Sequence, residues 1–267
     1  MPFVNIGGVS MHYRHRRAAG EAPVLVFINS LGTDFRIWDD VVDSLASDTA
    51  LLNYDKRGHG LSGLGGGVAS MDDHVDDLAG LLDRLGIDDV ILCGLSIGGL
   101  IAQGFAMRRP QALHALILCD TAAKIGTTQS WNARIDTVER QGIEAIADSV
   151  IEKWFTPAFH RDRPADVAGY RAMLVRQSVA GYAGSCAALR DADYTEAARR
   201  IAVPTLCVVG DQDGSTPPDL VRQTAALIPG ARFEIIAGAG HIPCVEQPDA
   251  LVLLVRGFIA SLPGRRP

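Results

Sequence analysis

The chain has 267 residues, 48% hydrophobic and 21% charged, with a mean hydropathy of +0.14, so apolar surface suffices for one compact body. A balance of 25 basic against 31 acidic residues, net −6 with pI ≈ 5.6, excludes a general binder of nucleic acid or anionic membrane, which needs positive surface. No run approaches the ~20 apolar residues of a membrane span, Met1 to His15 lacks the apolar stretch of a signal peptide, and five cysteines without a CxxC pair exclude a zinc or disulfide scaffold.

Phe3 to Ile6 and Ser10 to Arg14, joined by Gly7-Gly8, predict an antiparallel hairpin. Val24 to Ile28 is a continuous apolar strand of the kind buried on both faces. Residues 36–47 place Ile37, Val41 and Leu45 on one helical face, and a strand over Thr49 to Tyr54 runs into Asp55-Lys56-Arg57-Gly58-His59-Gly60. An amphipathic helix over 71–86, with His74 on its exposed face, stops at Gly86. The strand Val90 to Cys93 leads into a helix over Ile97 to Arg108, and Leu113 to Cys119 is the next strand. From Lys124 to Arg200 the periodicity is helical throughout. Strands resume at Thr205 to Val209 and Phe233 to Ile236, and a last helix covers Asp249 to Ser261. Thr216 as N-cap, with Pro217 at the first helical position and Asp219 three after the cap, marks the start of the penultimate helix. The expected fold is α/β with a mostly parallel sheet flanked by helices. Its core spans 1–123 and 201–262, a helical insertion spans 124–200, and 263–267 form a loose tail.

Gly94-Leu95-Ser96-Ile97-Gly98 joins a buried strand to a helix, the setting of a G-x-S-x-G nucleophile elbow. The serine occupies a strained turn that projects its hydroxyl, and side chains at Gly94 or Gly98 would meet neighbouring backbone. A nucleophilic serine needs a base, and the base an orienting acid. Of seven histidines, His241 is best placed, in a Gly-rich loop after the last strand. The acid belongs after Thr205 to Val209, where Asp213 extends further into its loop and Asp211, nearer the strand, bonds local amides of the turn. Two backbone donors for an oxyanion are expected at Ile97, directly after the serine, and at Leu31 in Asn29-Ser30-Leu31-Gly32.

With these elements in this order the chain resembles the α/β-hydrolase superfamily along nearly its whole length. Asn29 to Asp34, Gly94 to Leu100 and Cys119 to Gly126 further resemble the 3-oxoadipate enol-lactonases of aromatic catabolism, although Asn29-Ser30 stands where many relatives carry His-Gly. The resemblance supports Asp213, the third residue after the loop glycine, as the acid, and implies that the insertion is a lid. It also implies a small anionic lactone as substrate, opened by Ser96 and His241 without cofactor or metal. A covalent acyl-enzyme and direct attack by water both fit these residues. The substrate's free carboxylate asks for a cation beside an apolar wall, which Arg134 and Trp131 supply, with Lys124 and Arg190 as the next cations. Trp154-Phe155 is assigned to lid packing, and Asp55 and Arg57 to holding their turn. A carboxylesterase or a carbon–carbon hydrolase uses the same triad, and a non-catalytic ligand-binding relative would lack it. Cysteines in apolar stretches suit reduced thiols in the cytoplasm. Oligomeric state has no sequence signature.

Overall fold

Apolar runs too continuous to face water on either side set the centre of the sheet. In the computed structural model, which describes residues 2–17, 23–47 and 49–263, β1 (Phe3–Ile6) and β2 (Val9–Arg16) form the hairpin and β3 (Val24–Ile28) and β4 (Leu51–Tyr54) follow. Next come β5 (Val90–Leu95), β6 (Leu113–Cys119), β7 (Thr205–Gly210) and β8 (Arg232–Ile236). The spatial order is β1-β2-β4-β3-β5-β6-β7-β8, with β1 and β2 antiparallel and every pairing from β4 onward parallel. β5 and β7 are buried at every position, as strands covered by helices on both faces must be.

The segment expected as one helix over 36–47 is instead a 3-10 turn at Phe35–Trp38 followed by α1 (Asp39–Leu45). The Asp34 carboxylate accepts from the Arg36 N–H and starts the tighter turn. α2 (Met71–Leu85) begins with a Ser70–Asp73 capping box and ends at left-handed Gly86. The expectation that His74 faces water is corrected: it is buried, because α8 (Val179–Asp191) packs over that face of α2 and brings Ser185 Oγ within 3.3 Å of its Nε2. α3 (Ile97–Arg108) has ten buried residues and packs on β5, β6 and β3.

Between β6 and β7 the described chain runs through helices α4 (Thr128–Gln141), α5 (Glu144–Trp154), α6 (Pro157–Asp162), α7 (Pro164–Val175), α8 and α9 (Thr195–Ala198). Close backbone contacts help tie this helical layer to the core. The α-carbons of Gly58, after β4, and Gly181, in α8, lie so close that a methyl on either would strike the other's backbone. Nearby, the Gly60 N–H donates to Gln177 Oε1 at 2.8 Å. After β7, α10 (Pro218–Leu227) begins one residue later than expected, with Pro217 at its N-cap; Thr216 does not cap it, because its hydroxyl is taken by Asp213. α11 (Pro243–Glu246) and α12 (Pro248–Ala260) complete the chain. Residues 264–267 of the expected tail lie outside the described residues. Among those described, no helix is long and apolar enough to cross a membrane, and all five cysteines are free and buried.

Candidate active site

A parallel sheet delivers the carboxyl ends of its strands, and the loops that follow them, to one edge. Ser96 follows β5 with φ 57° and ψ −118°, a left-handed conformation that is strained for a residue with a side chain. The glycines around it are required by space. A β-carbon at Gly94 would lie against the Gly98 carbonyl, and one at Gly98 against the carbonyl of Ile28 on β3. The Ser96 N–H donates to the Cys119 carbonyl at 3.0 Å, and its own carbonyl accepts from Thr121 Oγ1 at 2.6 Å and the Gly99 N–H at 2.9 Å.

His241 lies beyond β8, held by its N–H to the Trp154 carbonyl at 2.9 Å. Its Nδ1 is 3.0 and 2.9 Å from the two oxygens of Asp213. Asp213 is fixed in turn. Its Oδ1 accepts from the N–H groups of Ser215 and Thr216 at 2.7 and 3.0 Å, and its Oδ2 from the Thr216 hydroxyl at 2.6 Å. Burial acts to raise the Asp213 carboxyl, but the charge of His241 and these hydrogen bonds outweigh it and hold the acid below its ordinary value. Asp211 bonds amides of the opposite loop, not of its own turn: its Oδ1 accepts from Gly238 and Ala239 at 2.9 and 3.3 Å. It thereby locks the two loops together. Among the described residues neither the Ser96 hydroxyl nor His241 Nε2 has a hydrogen-bond partner, and both line one cavity of about 200 Å³.

The N–H groups of Leu31 and Ile97 likewise have no acceptor among the described residues. Leu31 lines the cavity beside Ser96. Trp131 and Arg134 line its far wall from α4, with the Arg134 guanidinium 5.1 Å from the centre of the Trp131 ring. Trp154 lines the same cavity from the end of α5, so it is wall as well as packing. Lys124 and Arg190 are not brought to it: Lys124 pairs with Asp193 at 2.9 Å, and Arg190 with Asp191 and Asn132 at 2.7 and 3.0 Å. The second cation of the lining is Lys153, which the sequence reading missed and which α5 places one residue before Trp154. Asp55 and Arg57 hold their turn, Asp55 accepting from the amides of Phe35 and Leu61 and Arg57 gripping Asp77. His12 also bonds a carboxylate, Asp55 at 2.8 Å, but lines a different cavity from Ser96.

Three further groups lay beyond sequence reasoning. Asp120 (φ 45°) accepts from the Gly210 N–H at 2.9 Å, and burial together with the Asp213 charge holds its carboxyl well above the usual range. Glu246 accepts from Gly240 and Thr156 and so joins the His241 loop to the start of α6. Lys56 Nζ donates to the Ser30 carbonyl at 2.6 Å. Asp120, Asp213 and His241 are the described residues near enough together to share a metal ion. Asp213 and His241 are already engaged with each other and with Ser215 and Thr216, whereas Asp120 Oδ1 accepts from Gly210 and its Oδ2 is left without a hydrogen-bond partner among the described residues.

The family model described as "Alpha/beta hydrolase family" matches residues 25–252. The chain belongs to this family. It is 37% identical over 230 residues to 3-oxoadipate enol-lactonase 2 of Acinetobacter baylyi, covering 86% of each chain. It is 33% identical to 3-oxoadipate enol-lactonase 1 of the same organism, covering 90% of each. The crystal structure of the enol-lactonase from Burkholderia xenovorans superposes with a TM-score of 0.94 at 35% identity, over 97% of this chain and all of that one. Its enzyme homologues imply a small-molecule substrate, and in open α/β sheets ligands bind outside the carboxyl ends of the strands, where this cavity lies.

Proposed function

We propose that this chain is a serine hydrolase that opens the ring of 3-oxoadipate enol-lactone to give 3-oxoadipate in aromatic catabolism. The observation that carries it is the meeting of Ser96, His241 and two cations, Arg134 and Lys153, in one small cavity. The similarity of nearly the whole chain to two enol-lactonases supports the substrate.

Ser96 Oγ attacks the lactone carbonyl carbon while His241 Nε2 takes its proton, and Asp213 holds the imidazole tautomer and balances the imidazolium. The charge that develops on the carbonyl oxygen is received by the N–H groups of Leu31 and Ile97, the latter at the positive end of α3. Collapse breaks the ring C–O bond. The leaving group is an enolate, so it departs more readily than an alkoxide; with the proton returned through His241 it becomes the ketone of the ring-opened acyl chain. Water, deprotonated by His241, then attacks the ester carbon; the bond to Ser96 Oγ breaks, His241 returns the proton to that oxygen, and the acid leaves. Each of these steps uses groups of the chain itself. The helical layer over 124–200 acts as the lid, and Arg134, stacked on Trp131, takes the substrate carboxylate. Five buried free thiols, two of them raised to about 12 by burial (Cys186 and Cys207), support a reducing, cytoplasmic setting.

Steady-state kinetics on the anionic enol-lactone and on a neutral phenyl ester test the reading. Ser96→Ala should lower kcat by about 10³-fold or more with both. Arg134→Met deletes charge-assisted hydrogen bonds of about 1.5–3 kcal/mol, so kcat/KM for the anion should fall roughly ten- to hundred-fold with the ester unaffected. An acyl-enzyme on Ser96, trapped by acid quench and seen by mass spectrometry, distinguishes the covalent route from direct attack by water. A wild-type preference for the neutral ester would overturn the lactonase assignment and leave a carboxylesterase.

A further inference from the structure

Lys56 is one of the largest fully buried side chains of the molecule, 1% exposed. A lysine is almost never fully buried unless its charge is met. Here Nζ donates to no carboxylate; its hydrogen bond is to a backbone carbonyl, that of Ser30, at 2.6 Å. That carbonyl has no need of it, since Thr33 Oγ1 donates to the same oxygen at 2.9 Å and the Thr33 N–H at 3.4 Å. The Lys56 amine has therefore been buried on an oxygen already satisfied by neutral donors. Burial depresses Lys56 to about 7, with the charges of Asp55 and Asp34 opposing that fall, so the amine carries its charge for part of the time near neutral pH.

What Lys56 grips is the peptide whose other end is the Leu31 N–H. Every described peptide bond is trans, so the Ser30 carbonyl and the Leu31 N–H point in opposite directions from one plane. Fixing the oxygen from behind fixes the direction of the N–H in front. A cation on the oxygen also draws electron density from the amide nitrogen and makes its N–H a stronger donor. The Ile97 donor is anchored in the same way but without charge, its peptide carbonyl being held by Thr121 Oγ1 and the Gly99 N–H.

We propose that Lys56 is a positioning residue of the oxyanion hole, holding and polarising the Ser30–Leu31 peptide so that the Leu31 N–H meets the developing oxyanion. The inference rests on the serine-hydrolase reading of Ser96. It predicts an effect confined to the transition state. Lys56→Met keeps the stem and deletes the ammonium; turnover of p-nitrophenyl acetate is measured per Ser96 titrated with a fluorophosphonate, so that unfolded enzyme is not counted. kcat is expected to fall about 10- to 100-fold, less than the 10²–10³ typical of removing an oxyanion donor outright, with KM within about twofold. Affinity for a trifluoromethyl ketone, which binds serine hydrolases as an anionic hemiketal, should fall with kcat. Thr33→Val, which removes a neutral donor from the same carbonyl, should have a smaller effect. If Lys56→Met yields no folded enzyme, Lys56→Gln carries the same comparison. Wild-type kcat per titrated site, or a loss in KM alone, would overturn the role of Lys56. Failure of wild-type Ser96 to react with the fluorophosphonate would overturn the hydrolase reading instead.

Discussion

At the scale of single residues, the two aspartates of the loop after β7 differ in what their oxygens accept. Asp213 spends both oxygens on His241 and on the turn that aims it, whereas Asp211 cross-links two loops through backbone amides. Asp213→Asn is expected to lower kcat by about 10⁴, since an amide leaves the imidazole in the wrong tautomer, and so to approach His241→Ala. Asp211→Asn should lower it less than tenfold and act mainly on thermal stability. The opposite ranking in kcat would move the acid to Asp211. Ser96, His241 and the Asp213 loop were legible in the sequence because each is marked by local chemistry, a glycine-framed turn or a loop just past an apolar strand. Asp120, Lys153, Lys56 and Glu246 were not, because Gly210, Ser96, Ser30 and Thr156, which they bond or face, lie well away along the chain and only the packed fold brings them together. Thr216 shows the limit of local rules: its sequence context reads as a helix cap, yet its hydroxyl is drawn to Asp213.

At the scale of elements, the strands and long helices were readable from hydrophobic period and caps, and the errors fall at places where tertiary contact outweighs pattern. His74 reads as solvent-facing on α2 until α8 is laid across it. The elbow between β5 and α3 depends on space more than on propensity, which two alanine substitutions separate. Gly98→Ala places a methyl against the Ile28 carbonyl and should destabilise by about 1–3 kcal/mol, as overpacking does. Gly257→Ala, on the exposed side of α12 where a β-carbon meets nothing within 4 Å, should stabilise by about 0.5–1 kcal/mol through helix propensity. Urea midpoints of the two variants against the parent check both signs, and a stable Gly98→Ala would show that β3 and α3 can part to admit the methyl.

For the whole molecule, the buried imidazoles couple stability to acidity. Burial, with Lys56 and Arg57 nearby and only Asp73 opposing, lowers His74 to about 3, and burial with Lys56 lowers His59 well below its ordinary value. Both are neutral in the folded chain near pH 6 but bind a proton when unfolded below about 6.5. The unfolded state therefore takes up more protons as the pH falls, and stability declines from about pH 6.5 downward, by at most roughly 1.4 kcal/mol per pH unit for each histidine. Thermal melts between pH 7 and pH 4 should show this decline, and His74→Gln should make it shallower. An unchanged slope would remove His74 from the account.

The contact of Gly58 with Gly181 gives substrate range a direction in which to evolve. Helices α4 to α7 carry Trp131, Arg134 and Lys153, and their many exposed positions can change without disturbing the sheet. The inner turn of α8 has no such freedom, for it rests bare backbone on the turn that also carries Lys56. A lineage changing its diet has room to remodel the roof of the cavity, while the beam on which that roof is hung stays two glycines wide.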